Sequence, residues 1–149
     1  MQLLGVSTHG FAQKISFRER YQPLVDSLSK VYKIPSAVIL GVSIIESGSG
    51  TSRNSRLLNN FFGVKGRNNL LQTKGIKSSY KQYNTDTASF VDFCAIVARK
   101  KFYPKLAGNP DYKQWILALS KSGYSEVPEA WRKLITDVIR KNKLDKAVN

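Results

Sequence analysis

Cysteine and histidine are almost missing from this sequence, which holds one of each, Cys94 and His9. A single cysteine excludes an internal disulfide. Cys94 lies between Phe93 and Ala95 in an apolar stretch with helical spacing. A buried, inert thiol is expected there rather than a nucleophile, because no histidine accompanies it. With His9 near the N-terminus as the sole imidazole, a Ser-His or Cys-His catalytic pair falls away. So does a histidine-based zinc site, and neither a metal nor another cofactor is expected. Acidic residues are scarce as well: 10 Asp and Glu stand against 24 Lys and Arg, a formal charge of +14. Such a field attracts anionic partners, whether nucleic acid, acidic polymers or membrane headgroups, without choosing among them. Long hydrophobic runs are absent too, and none approaches the roughly twenty apolar residues that span a bilayer.

What is present describes a folded chain. At 149 residues, with two Trp, seven Tyr and seven Phe, it forms one domain with a real core. Residues 1–15 are expected to be a tail outside the fold. They lack the basic start and apolar centre of a signal peptide, although Gly10-Phe11-Ala12 has the small-x-small form of a cleavage site. Residues 16–149 are the expected domain.

The stretch from Ile34-Pro35 to Gly48 is the centre of the reading. Ala37, Val38, Leu40, Val42, Ile44 and Ile45 are apolar on every side of a helix, which predicts a helix buried in the core. Pro35 suits its first turn, and Gly48 and Gly50 stop it. Glu46 then sits at its C-terminal end. Partial burial and the negative end of the helix dipole both disfavour the charged carboxylate there. Both raise its pKa, the property a general acid needs near neutral pH.

The flanking chain reads mostly as amphipathic helix. Ser16-Phe17-Arg18-Glu19 is a capping box, and Phe17, Tyr21, Leu24, Val25, Leu28, Val31 and Tyr32 form one helical face. Thr51 and Ser52 can cap a short helix as far as Leu58. Asn59-Asn60-Phe61-Phe62-Gly63-Val64-Lys65-Gly66 reads as a shaped turn. From Lys65 to Tyr83 there are five basic residues, Lys65, Arg67, Lys74, Lys77 and Lys81, and no acid. Lys74-Gly75 is expected to turn a small β-hairpin, with residues 70–73 and 76–83 as its arms. Thr85-Asp86-Thr87 caps a helix carrying Phe90, Phe93, Cys94 and Val97. Another is expected to begin at Pro110 and to bury Trp115, Ile116 and Leu119. The last follows Pro128 and uses Trp131, Leu134, Ile135, Val138 and Ile139.

Several of these pieces resemble a known family. Ile45-Glu46-Ser47-Gly48-Ser49-Gly50-Thr51-Ser52-Arg53, followed by Asn59-Asn60-Phe61-Phe62-Gly63-Val64-Lys65-Gly66, is similar to the peptidoglycan N-acetylglucosaminidases of glycoside hydrolase family 73, the flagellar-rod and autolysin type. Tyr83 with Ser89, Phe90 and Asp92 echoes the family's Tyr before a Ser-x-x-Asp helix. Gly123-Tyr124-Ser125-Glu126-Val127-Pro128 looks like its Gly-Tyr motif. The resemblance covers about residues 16–144. It implies a mainly α, lysozyme-like α+β fold with a small β-hairpin beside a sugar-binding groove. It implies hydrolysis of the β-1,4 bond after N-acetylglucosamine in bacterial wall glycan, by a secreted or periplasmic, wall-associated monomer. Glu46 would be the general acid and Tyr124 would stand close to the catalytic centre. Asn60, Phe62, Tyr80 and Tyr83 would bind substrate, the aromatic faces stacking on sugar rings.

One departure from the family concerns mechanism. Glycosidases commonly pair two carboxylates, and many family members carry the second in the hairpin, where this chain has none. Asp86 and Asp92 are the next candidates, although Asp86 fits a helix cap and Asp92 a surface or structural position. Assistance by the substrate's acetamido group, a slow reaction with one acid, or non-hydrolytic cleavage as in lytic transglycosylases are the remaining routes. A non-catalytic wall-binding module is a further reading. A nucleic-acid binder rests on charge alone, with no reading module visible, so peptidoglycan strands and the anionic envelope surface are the expected partners and nucleic acid is not.

Overall fold

The computed structural model describes residues 15–148. His9 and the Gly10-Phe11-Ala12 triplet therefore lie outside the described residues. The described chain is helical throughout: α1 (Phe17–Tyr32), α2 (Ser36–Ser47), α3 (Arg53–Leu58), α4 (Leu70–Lys74), α5 (Asp86–Ala98), α6 (Tyr103–Leu106), α7 (Tyr112–Lys121) and α8 (Pro128–Lys141).

Local signals set most boundaries. Ser16 caps α1, its hydroxyl accepting the Glu19 N–H at 3.1 Å. Ser52 caps α3 and Thr85 caps α5 in the same way, each satisfying one of the unpaired donors of a first turn. α2 ends at Ser47, and Gly48 follows in the left-handed conformation with its N–H on the Ile44 carbonyl. Two starts differ from the sequence expectation by a residue or two. Pro35 is the N-cap of α2 rather than its first helical residue. α7 begins at Tyr112 rather than Pro110, because Asp111 acts as the cap and accepts the Lys113 N–H at 3.0 Å.

α2 is the axis of the domain. Ala37, Val38, Ile39, Leu40 and Val42 are all buried, and α1, α7 and α8 pack around it. At Gly41 the approach of α8 is tight. A Cβ at this position would lie 2.8 Å from Cγ1 of Ile139 on α8, so only a residue without a side chain lets the two helices meet there. α5 packs on α1. A continuous set of rings fills the space beneath the Asn59–Gly66 turn. Tyr21 stacks on Phe90 with centroids 4.9 Å apart, Phe62 lies on Phe93 at 4.2 Å, and Tyr124 meets Trp131 at 5.3 Å. Val31 and Leu134 belong to the apolar faces read from the sequence but point outward, 71% and 54% exposed.

The expected β-hairpin takes another form. Residues 70–74 are a helix, and no strand occurs among the described residues. Instead the segments around Lys65 and Tyr80 meet in a single antiparallel bridge. Gly66 N–H donates to Ser79 O at 2.9 Å and Lys81 N–H to Val64 O at 2.8 Å. The side chain of Asn68 completes the closure, donating to the carbonyls of Ser78 and Tyr80, both at 2.8 Å. Side chains thus supply bonds that a second ladder residue would otherwise make. The tip winds into α4 because Leu70 is buried and Gly75 closes the turn in the left-handed region.

Candidate active site

Glu46 is half-buried in the last turn of α2. Its Oε1 accepts a hydrogen bond of 2.6 Å from the indole Nε1–H of Trp131 on α8. Its Oε2 faces Gly63, where a Cβ would come within 3.0 Å of that oxygen. Gly63 has φ +66°, so both its backbone and the neighbouring carboxylate demand glycine. Burial raises the pKa of Glu46, and the Trp131 hydrogen bond offsets only part of that rise. No ion pair to Glu46 occurs among the described residues. A carboxyl that is desolvated and lacks a cationic neighbour holds its proton to higher pH.

The turn beside Glu46 is held by residues that the sequence singles out for other reasons. Asn60 is fully buried. Its Nδ2 donates to the carbonyls of Val64 and Lys81, both at 2.9 Å, and its Oδ1 accepts from Phe62 N and Val64 N at 3.3 and 3.2 Å. Ser89 receives the Phe61 N–H at 3.0 Å. The Tyr124 hydroxyl donates to the Phe62 carbonyl. Burial, with the nearby charges of Glu46 and Tyr83, keeps this phenol protonated well above its usual range.

Several expected sugar contacts are corrected by burial. Phe62 is fully enclosed and stacks on Phe93, so its ring cannot lie against a sugar. Asn60 shapes the turn from behind rather than from its surface. Tyr83 is only 7% exposed, and its hydroxyl donates to Asp92 Oδ2 at 2.6 Å. Tyr80 does remain half-exposed, its ring edge beside Gly63 and the Lys65 ammonium 4.0 Å from its centroid, a cation–π contact.

The two candidate second carboxylates are engaged elsewhere. Asp86 accepts the Tyr21 hydroxyl at 2.8 Å and the Thr87 N–H at 2.7 Å. Asp92 takes Lys81 Nζ at 2.9 Å as well as Tyr83. Burial works to raise the Asp92 pKa, but the hydrogen bonds from Tyr83 and Lys81 and the charges of Lys81 and Arg99 outweigh it, and the net shift is downward. Cys94 is buried, with its thiol pushed up to about 12 by desolvation, as expected of an inert side chain. Among the described residues no three His, Cys, Asp or Glu side chains gather as a metal site would need.

A family model described as glucosaminidase, mannosyl-glycoprotein endo-β-N-acetylglucosaminidase, matches residues 22–144. The chain belongs to this family. It is a glycoside hydrolase, and the family is the one that the Glu46, Asn-Asn-Phe-Phe-Gly and Gly-Tyr segments resemble. Solved structures with the same fold include the catalytic domain of the autolysin Auto from Listeria monocytogenes. It has 21% identity and a TM-score of 0.70, over 87% of this chain and 84% of that one. The glycoside hydrolase domain of FlgJ from Salmonella typhimurium has 23% identity and a TM-score of 0.65, over 85% and 86%. The peptidoglycan hydrolase of Sphingomonas sp. A1 has 18% identity and a TM-score of 0.63, over 89% and 96%. The search of curated protein sequences returned no match. The architecture of this glucosaminidase is accordingly lysozyme-like and, within the described residues, helical.

Trp131 and Gly63 are the parts of the site that the sequence reading missed. Trp131 reads there as one of several apolar residues of α8. Its signal was chemical: a buried indole N–H needs an acceptor, and the site reveals that acceptor to be Glu46.

Proposed function

We propose that this glucosaminidase cleaves the β-1,4 bond after N-acetylglucosamine in the glycan of bacterial peptidoglycan, with Glu46 as the general acid. The observation that carries the reading is the carboxyl of Glu46, desolvated, raised in pKa and held between Trp131 and Gly63. Family membership supports the reaction class. The glycan as substrate is supported by structural relatives named as an autolysin and as a peptidoglycan hydrolase. In the protonated state Glu46 delivers its proton to the glycosidic oxygen as the C1–O bond breaks and its electron pair passes to the leaving oxygen; a water molecule then bonds to C1 and gives up a proton, which restores the Glu46 carboxyl. Tyr80 offers the exposed aromatic edge beside the acid and is the side chain proposed to meet a sugar. Tyr124 supports the turn through the Phe62 carbonyl. The formal charge of +14 favours approach to an anionic wall, and action on that wall places the enzyme outside the cytoplasm.

The absence of any acid from Lys65 to Tyr83 favours one second reading, a single-glutamate lytic transglycosylase. Mass spectrometry of digested wall separates the two. Reducing N-acetylglucosamine ends support the glucosaminidase reading, whereas anhydro-muramic ends support the other. Glu46→Gln keeps the shape of the side chain and removes its acid, so it is expected to release no fragments. Full activity in that variant refutes the assignment of Glu46.

A further inference from the structure

The indole of Trp131 reaches Glu46 across 85 residues of sequence, and it does so at 2.6 Å. Trp131 is buried, and Tyr124 lies against its ring, so the indole has little freedom to turn away. The two oxygens of Glu46 are therefore unequal. Oε1 faces a donor that has no lone pair to offer. A proton on that oxygen would make it a poorer acceptor for the indole N–H. Oε2 faces the small space that Gly63 leaves open.

We propose that Trp131 is the positioning residue for the acid: its N–H occupies Oε1, so the reactive proton resides on Oε2, the oxygen turned to the Gly63 side. This rests on the reading of Glu46 as general acid. When the acid works, the Oε2–H bond breaks and its proton joins the glycosidic oxygen. The charge left on the carboxylate spreads to Oε1, where the indole N–H already stands. Trp131 thus fixes the rotation of the carboxyl and stabilises the ionised product of proton transfer, without touching the substrate bond. A hydrogen bond to an ionised acceptor is stronger than one to its neutral form, so the contact tightens as the proton leaves.

Few other charges share this surrounding. Tyr124 is a phenol within reach of the Glu46 charge, held protonated by burial and by that charge. Tyr80 and Lys65 stand on the loop side, the lysine placed over the tyrosine ring. On α8, Glu129, Arg132 and Lys133 line a different groove, shared with Lys113 of α7. From α1, Arg20 borders the cleft at Ser49 and Gly50. Trp131 is the one hydrogen-bond donor to Glu46 among the described residues.

Trp131→Phe keeps an aromatic ring but deletes the N–H together with part of the buried ring, so the pH dependence, which a packing defect alone would not move, is the reading that matters. The loss of a donor that favours the carboxylate shifts the falling, high-pH limb of the pH–rate profile upward. kcat is expected to drop about tenfold or more, because the carboxyl is then free to rotate, while KM changes little. A profile that superimposes on that of the native enzyme overturns the proposal. A second measurement needs no activity. In protein labelled with 15N-tryptophan, the indole N–H signal absent from Trp131→Phe is expected to move with pH as Glu46 titrates, and to stop moving in Glu46→Gln. A Trp131 signal unaffected by pH in the native protein overturns the contact itself. If the signal moves but Glu46→Gln retains activity, the contact stands and the acid reading fails, which overturns the catalytic part of the positioning role.

Discussion

Asn60→Ala tests whether a single buried amide holds the turn that faces Glu46. Asn60 is fully buried and makes four hydrogen bonds to backbone groups, two at 2.9 Å through Nδ2 and two at 3.2 and 3.3 Å through Oδ1. Taking about 1 kcal/mol for each short bond and about half of that for each long one gives a loss of about 3 kcal/mol. The loss is not readily recovered. Phe62 N and Val64 N would be left inside without acceptors, while the Val64 carbonyl keeps a second donor in Lys81 N. Three kcal/mol is a large fraction of the roughly 5–15 kcal/mol that holds a domain together. Urea denaturation is the assay: the midpoint should fall with the slope unchanged, since the surface exposed on unfolding stays the same. Hydrolysis of wall glycan should fall further than folding alone explains, because Gly63 belongs to the same turn and Asn60 ties that turn to the Tyr80 segment through the Lys81 carbonyl. A loss below about 0.5 kcal/mol, the ordinary range for a surface substitution, refutes the reasoning and assigns the turn to the packing of Phe61 and Phe62. Asn60→Asp is a useful companion. It keeps the two acceptor bonds and sets a second carboxyl oxygen against two carbonyls, so its stability should rise as the pH is lowered and the acid becomes a donor.

Three further outcomes follow from the same geometry. Gly63→Ala should cost about 1–2 kcal/mol of stability because φ is +66°, the range for a left-handed non-glycine residue; its activity should fall more steeply, since the new Cβ meets Glu46 Oε2 at 3.0 Å. Glu46→Gln should be more stable than the native protein at neutral pH. The native Glu46 pKa is raised by burial, so the folded state loses stability as pH rises from the ordinary carboxylate range through that raised value, and the amide removes this loss; thermal midpoints compared across pH 4 to 8 read it, and equal pH dependence in the two proteins refutes it. Tyr83→Phe removes one donor from Asp92, whose pKa is raised by burial but lowered overall by Tyr83, Lys81 and Arg99. The stability Asp92 contributes is present above its unfolded pKa and lost as pH falls through the lower folded value. The variant should therefore be less stable at neutral pH and show a smaller loss on acidification, measured by denaturation at successive pH values.

Much of the scaffold could be read residue by residue. The apolar surround of Glu46 follows from Ala37 to Ile45, because a helix without a polar face has to be enclosed. Ser16, Ser52 and Thr85 mark starts that the structure keeps. The excursion at 64–83 was legible as a closure but not in its form. Its pairing depends on the side chains of Asn60 and Asn68 reaching backbone carbonyls 21, 10 and 12 residues away, and alternation of residue types carries no trace of that. Phe62 and Tyr83 were misplaced as sugar contacts for a related reason. An aromatic in a turn can face inward or outward, and here Phe93 and Asp92 of α5 take both of them inward.

The residues alone did not show α4 and α6, but six helices, α1, α2, α3, α5, α7 and α8, were legible in them, as were the lone cysteine's lack of a disulfide partner and the desolvated carboxyl at a helix end. These are local properties, carried by caps, periodicity and composition. What surrounds that carboxyl came from the packing of helices distant in sequence. Gly41 lets α8 close on α2 against Ile139, and that approach brings the indole of Trp131 onto Glu46. Such a contact depends on the distance between two packed helices, a quantity that no stretch of either helix contains.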